Sequence, residues 1–113
     1  YHFSGRYNQA RTSFKQVAKI DSLFEEAYFN IGNTYIGLYS DTMSNYSKDT
    51  TLNQAIYYFE KAIDLNPNYV QAIYNLGLQY EFKGDKVTAK KLYLEAIDVD
   101  NNYSPALKAV NEL

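Results

Sequence analysis

Apolar positions in this chain recur with a helical period, most clearly between Val70 and Tyr103. Ala72, Ile73, Leu76 and Tyr80 mark one face of a segment from Tyr69 to Lys83, and Ala89, Tyr93 and Ala96 mark a second segment running to Val99. Spacings of three and four residues line up one side of an α-helix, so both segments are predicted to be helices. Gly84-Asp85 separates them, with Gly suited to the left-handed end of a helix and Asp to the cap of the next. The same pattern returns elsewhere. Ala89, Tyr93 and Ala96 are echoed by Ala55, Phe59 and Ala62, and then by Ala10, Phe14 and Val17. Asn75-Leu76-Gly77 with Tyr80 is echoed by Asn30-Ile31-Gly32 with Tyr35, and Ala72, Ile73 and Leu76 by Ala106, Leu107 and Val110. The shift from Ala55 to Ala89 and from Ala72 to Ala106 is 34 residues. Two helices per 34-residue unit is the mark of a helix–turn–helix repeat.

This period divides the chain into a partial repeat (1–24), a repeat carrying an insert (25–69), a full repeat (70–103) and a terminal or partial helix (104–113). Tyr1 to Ser4 reads as a helix tail ended by Gly5, followed by a helix from Arg6 to Ile20 and a break at Asp21-Ser22. Tyr1 falls where Tyr35 and Tyr80 fall, so the sequence opens inside a repeat and reads as a fragment of a longer array. The next helix is expected from Glu25 to Tyr39, with Glu25 and Glu26 complementing the dipole of its first turn. Gly32 and Gly77 lie mid-helix, at a propensity cost of about 1 kcal/mol each. Their gain is close approach of the following helix. Between Leu38 and Thr50 stand 11 extra residues, YSDTMSNYSKD. They either lengthen both helices or form an ordered loop. Thr51 to Leu65 follows as a helix capped by Thr50 or Thr51, and Asn66-Pro67-Asn68 ends it. Ser104 is expected to cap the last helix, with Pro105 in its first turn. Asn111 stands where Gly32 and Gly77 stood, as in a terminal cap.

Composition narrows the chemistry. The 113 residues include 13 Tyr and 6 Phe but no Trp and no Cys. A single domain of this length can form a core, and thiolate metal sites and disulfides are excluded. The net charge of −2 provides no basic stripe, which argues against nucleic acid as a partner. No apolar run reaches the roughly 18 residues of a membrane span. His2 is the only histidine, so no metal cluster or catalytic triad can be built on it within the chain. Asp98, Asp100 and Asn102 imitate the start of a calcium loop, but Tyr103 replaces the required Gly and Ala109 the closing carboxylate. They read as repeat punctuation. Asn45-Tyr46-Ser47 and Asn102-Tyr103-Ser104 match a glycosylation triplet that is frequent by chance in Asn-rich chains. No Gly-rich phosphate loop is present. Neither a cofactor nor a metal is implied, and cytoplasm and periplasm suit the composition equally.

The stretches AYFNIGNTY (27–35), QAIYYFEKAIDLNPNY (54–69) and AIYNLGLQYEFKGD (72–85) resemble the tetratricopeptide repeat. The resemblance covers the chain outside 39–49, with Val17, Ser22 and Asn101 departing from the usual Ala, Pro and Pro. It implies an all-α fold of antiparallel helix pairs stacked as a right-handed α-solenoid. The first helix of each pair would line a concave groove and the second would face outward. Proteins of this type are usually non-catalytic scaffolds that hold a peptide or protein. By that geometry the groove is expected to present Glu26, Phe29, Asn30, Asn33 and Ile36 from one unit and Gln71, Tyr74, Asn75, Leu78, Glu81 and Phe82 from the next. Lys108 and Glu112 follow on the last helix. The amides suit an extended backbone, and Phe29, Tyr74 and Phe82 suit apolar side chains.

Some members of the family grip chaperone C-terminal carboxylates with Lys and Arg, and here Lys108 is the only groove candidate for that. Two other roles compete with groove binding. Open repeat ends around Tyr1, Phe3 and Val110 would stack in self-association, or the segment would serve as an accessory region of a larger complex.

Overall fold

The computed structural model describes residues 2–20, 24–40 and 45–113, with side chains described for 8–20, 24–36 and 48–113. These residues form α1 (His2–Ile20), α2 (Glu25–Ser40), α3 (Asn45–Leu65), α4 (Val70–Phe82), α5 (Lys86–Val99) and α6 (Ser104–Glu112), with no strand among them. Each helix packs chiefly on its neighbours in sequence, as in a solenoid. The stack measures 35 × 34 × 18 Å.

The repeating contact is glycine against an aromatic ring. A Cβ placed on Gly77 would lie 2.6 Å from a ring carbon of Tyr93, and one on Gly32 would lie 2.6 Å from a ring carbon of Phe59. Both rings are fully buried. Burial of such a ring contributes roughly 1.5–3 kcal/mol, more than a mid-helix glycine costs. The glycine and its ring are 27 residues apart in the first hairpin and 16 in the second, and the difference is the 11-residue insert. Around each ring sit alanines that let helix axes approach. Ala27, Ala55, Ala62, Ala72, Ala89, Ala96 and Ala106 are each at most 1% exposed. The predicted echo therefore holds for the α3 and α5 faces. It weakens in α1, where Val17 is 38% exposed and Ala18 is the buried residue instead.

The turns repeat as well. Gly84 has φ +91°; its N–H donates to Glu81 O (2.9 Å), and that of Asp85 donates to Tyr80 O (2.9 Å). This pair of bonds is the Schellman closure of a helix C-terminus. Asp85 then caps α5, accepting from the Thr88 N–H at 3.1 Å and the Thr88 hydroxyl at 2.7 Å. Asn66 and Asp100, 34 residues apart, each turn the chain by accepting a bond from the N–H two residues on, at Asn68 (3.2 Å) and Asn102 (3.0 Å). Asp100 is thereby committed to the turn, which supports its reading as punctuation.

Three expected boundaries shift. α1 runs through Gly5 without a break. Gly5 is followed by Arg6, which has no acceptor to cap a new helix, whereas Gly84 is followed by Asp85. The insert lengthens both flanking helices, with α2 reaching Ser40 and α3 starting at Asn45. Thr50 and Thr51 are therefore interior to α3 rather than caps, and Thr51 is buried. Ser104 is the first residue of α6; Tyr103 occupies the cap position, its carbonyl accepting from the Leu107 N–H at 3.2 Å. The expected break at Asp21-Ser22, residues 41–44 of the insert, Tyr1 and the Phe3 side chain lie outside the described residues.

Candidate peptide-binding groove

The expected groove residues come from α2, α4 and α6. On α2, Glu26 is exposed while Phe29, Asn30 and Asn33 are half-buried. Phe29 is engaged by its own fold: its ring centroid lies 4.8 Å from that of Tyr69 and 5.8 Å from that of Phe59. Ile36 also packs against the core around Phe59. Asn75 Nδ2 donates to Asn33 Oδ1 at 3.0 Å, tying α4 to α2. That bond occupies one donor and one acceptor of the pair and leaves the remaining amide capacity of both side chains. Gln71 is exposed, and Phe82, at the end of α4, is 48% exposed.

Between α4 and α6 the surface falls into a hollow of about 350 Å³. Tyr74, Leu78 and Glu81 form one wall; Pro105, Lys108, Ala109 and Glu112 form the other. It brings together Tyr74, Leu78 and Lys108 of the expected set, and Glu81 and Glu112 with them. Phe82 and the α2 residues do not line it. Tyr74 is held in place by Tyr93 (centroids 5.6 Å) and edge-on by Tyr103 (5.7 Å).

A second contact lies under this hollow, one that the sequence pattern does not predict. The Tyr93 hydroxyl donates to Glu81 Oε1 at 2.7 Å. The ring that fills the space over Gly77 therefore also fixes a carboxylate of the groove wall. Burial pushes the Tyr93 phenol well above its ordinary range, and the Glu81 bond and charge push it further. Burial raises the Tyr74 phenol too, followed by the charges of Glu81 and Glu112. Tyr69 is raised by burial and then by Glu26 and Glu25. Glu81 and Glu112 thus lie beside Tyr74, and Glu25 and Glu26 beside Tyr69. Among the described residues no three His, Cys, Asp or Glu side chains are placed to hold a metal ion, and no helix is long and apolar enough to cross a membrane.

Stacked helix hairpins, a glycine–ring contact repeated within them and a hollow between the first helices of successive pairs define a helical-repeat protein. Tetratricopeptide-repeat models match residues 58–91 and, separately, 45–69. These matches support a tetratricopeptide-repeat protein. It is 30% identical over 100 residues to the uncharacterized protein ycf37 of Guillardia theta, covering 87% of this chain and 53% of that protein. It is 30% identical over 104 residues to human tetratricopeptide repeat protein 6, covering 91% of this chain and 18% of the human one. The chain thus spans about half of one of these relatives and under a fifth of the other. Among solved structures, the first repeat domain of Spaghetti (RPAP3), bound to the HSP90 peptide SRMEEVD, superimposes with a TM-score of 0.81 at 19% identity. That match covers 99% of this chain and 80% of the other.

Proposed function

We propose that this segment is a non-catalytic scaffold that holds a peptide or protein segment on the face formed by α2, α4 and α6. The observation that carries the reading is the α4–α6 hollow, which combines an aromatic platform, an aliphatic wall and charged groups at one opening. A fold in which each helix packs chiefly on its neighbours in sequence leaves such an inter-helix surface available along its length. The similarity to a repeat domain that binds a peptide supports the same use of the fold. Asn30, Asn33, Gln71 and Asn75 would bond the partner's backbone, and Tyr74, Leu78 and Phe82 would contact its side chains.

The test is selection from a random heptapeptide library displayed on phage, run on the protein and on Ala109→Trp. Ala109 is half-buried in the hollow wall, so the indole fills the hollow without changing charge. Far-UV circular dichroism checks that the variant is folded. Leu78→Gln, on the opposite wall, is the second variant should Ala109→Trp melt early. Peptides recovered by the parent and lost with a folded variant support the reading. Equal recovery on both sinks it.

A further inference from the structure

We infer that the α4–α6 hollow receives a cationic side chain of the bound segment, an arginine or lysine, seated over Tyr74 and paired with Glu81 and Glu112. The inference rests on the groove reading above and adds the chemistry of the occupant.

Charge complementarity carries it. Glu81 and Glu112 face the hollow against the single ammonium of Lys108. Farther along the same face, Glu25 and Glu26 add negative charge beside Tyr69. Glu81 is not a loose surface acid. Its Oε1 accepts the hydroxyl of fully buried Tyr93. A neutral phenol orients a carboxylate without cancelling its charge, and the raised Tyr93 pKa keeps that phenol protonated. The carboxylate is therefore oriented through one of its oxygens. Tyr74 adds a ring that is itself braced by Tyr93 and Tyr103. A cation over a tyrosine face beside a pre-oriented carboxylate gains both cation–π and charge-assisted hydrogen bonding. A planar guanidinium suits this pairing best. An acidic segment such as SRMEEVD would instead meet like charge at Glu81 and Glu112.

The heptapeptide selection above also tests this step. Arginine and lysine are expected to be enriched over the input library in the peptides that Ala109→Trp loses. Calorimetric titration of one such peptide should show binding about tenfold weaker for Glu81→Gln, as expected for one charge-assisted contact. Tyr93→Phe keeps the ring over Gly77 and removes only the hydroxyl, so it should weaken the same peptide while the fold is retained. Lys108→Gln should strengthen it. Peptides that depend on the hollow but show no excess of arginine and lysine, or that bind Glu81→Gln as tightly as the parent, overturn the inference and leave the groove reading standing. Enrichment of acidic residues, with Lys108→Gln weakening binding, overturns it in the opposite sense. Equal recovery of peptides on the parent and the filled variants overturns both.

Discussion

Gly77 and Gly32 show how one missing side chain sets the distance between two helices. A Cβ at either position would sit within 2.6 Å of a buried ring that is packed on every side, so the neighbour cannot swing away. Gly77→Ala and Gly32→Ala should therefore destabilise by roughly 1–3 kcal/mol through overpacking, although alanine is the better helix former. Urea unfolding checks this, and a midpoint equal to or above the parent's would show that the ring is free to move. The role of these glycines is legible in the sequence. Both stand at the same point of the repeat, and a glycine that weakens its own helix twice at one register must gain something from a close neighbour. The second role of Tyr93 is not legible there. Its hydroxyl reaches Glu81, 12 residues away on another helix, and the spacing of apolar positions says nothing about where the polar end of a tyrosine lands. The same blindness applies to Phe29, a groove residue by its register that is largely occupied by Phe59 and Tyr69.

At the scale of the helix, the informative comparison is between two glycines that both look like helix ends in the sequence. Gly84 ends α4 because the chain takes a positive φ there and Asp85 supplies an acceptor for the first turn of α5. Gly5 does not end α1, since continuing the helix costs about 1 kcal/mol at the glycine while stopping would leave uncapped N–H groups. The insert obeys the same rule: nothing in its polar run forces a stop before Ser40, and Asn45 onward is compatible with helix. Helix pairing from α2 onward is thus legible from periodicity, whereas boundaries, and at Gly5 the number of helices, depend on the presence of a cap. The cap at Asp85 can be titrated. Hydrogen bonds from the Thr88 side chain and backbone lower its carboxyl pKa. A lowered folded-state pKa means that its contribution is present above the unfolded carboxylate value and is lost as pH falls through the folded value. Asp85→Ala should melt below the parent at neutral pH, and the gap should close as the solution is taken below the ordinary carboxylate range. A gap that persists unchanged in acid would assign the effect to something other than the ionised cap.

Across the whole molecule, tyrosine binds the stack together and gives it a pH limit. The phenols of Tyr69, Tyr74, Tyr80, Tyr93 and Tyr103 are all raised above 10.0, in each case first by burial; nearby carboxylates follow, at Tyr103 after the Tyr74 phenol. They belong to successive elements from the α3–α4 turn to the α5–α6 turn, so the helix contacts of this half share one vulnerability. The sign follows from linkage. The folded state holds these protons more tightly than the unfolded chain, so their contribution is fully present below pH 10 and declines as pH rises through the raised values. The carboxylates beside these phenols deepen this effect, because each resists a second negative charge on an adjacent phenol. Thermal melts should therefore hold level up to about pH 9 and fall above pH 10, the unperturbed tyrosine value, with tyrosinate absorbance appearing together with the loss of helix. Tyr93→Phe removes the group with the largest resolved shift while keeping the ring over Gly77, and should flatten that fall. If the variant loses stability above pH 10 as steeply as the parent, the alkaline limit lies with the other tyrosines and the Tyr93–Glu81 bond contributes little to it. If the fall flattens, the same hydroxyl that bonds Glu81 also couples the integrity of the helix stack to its own charge.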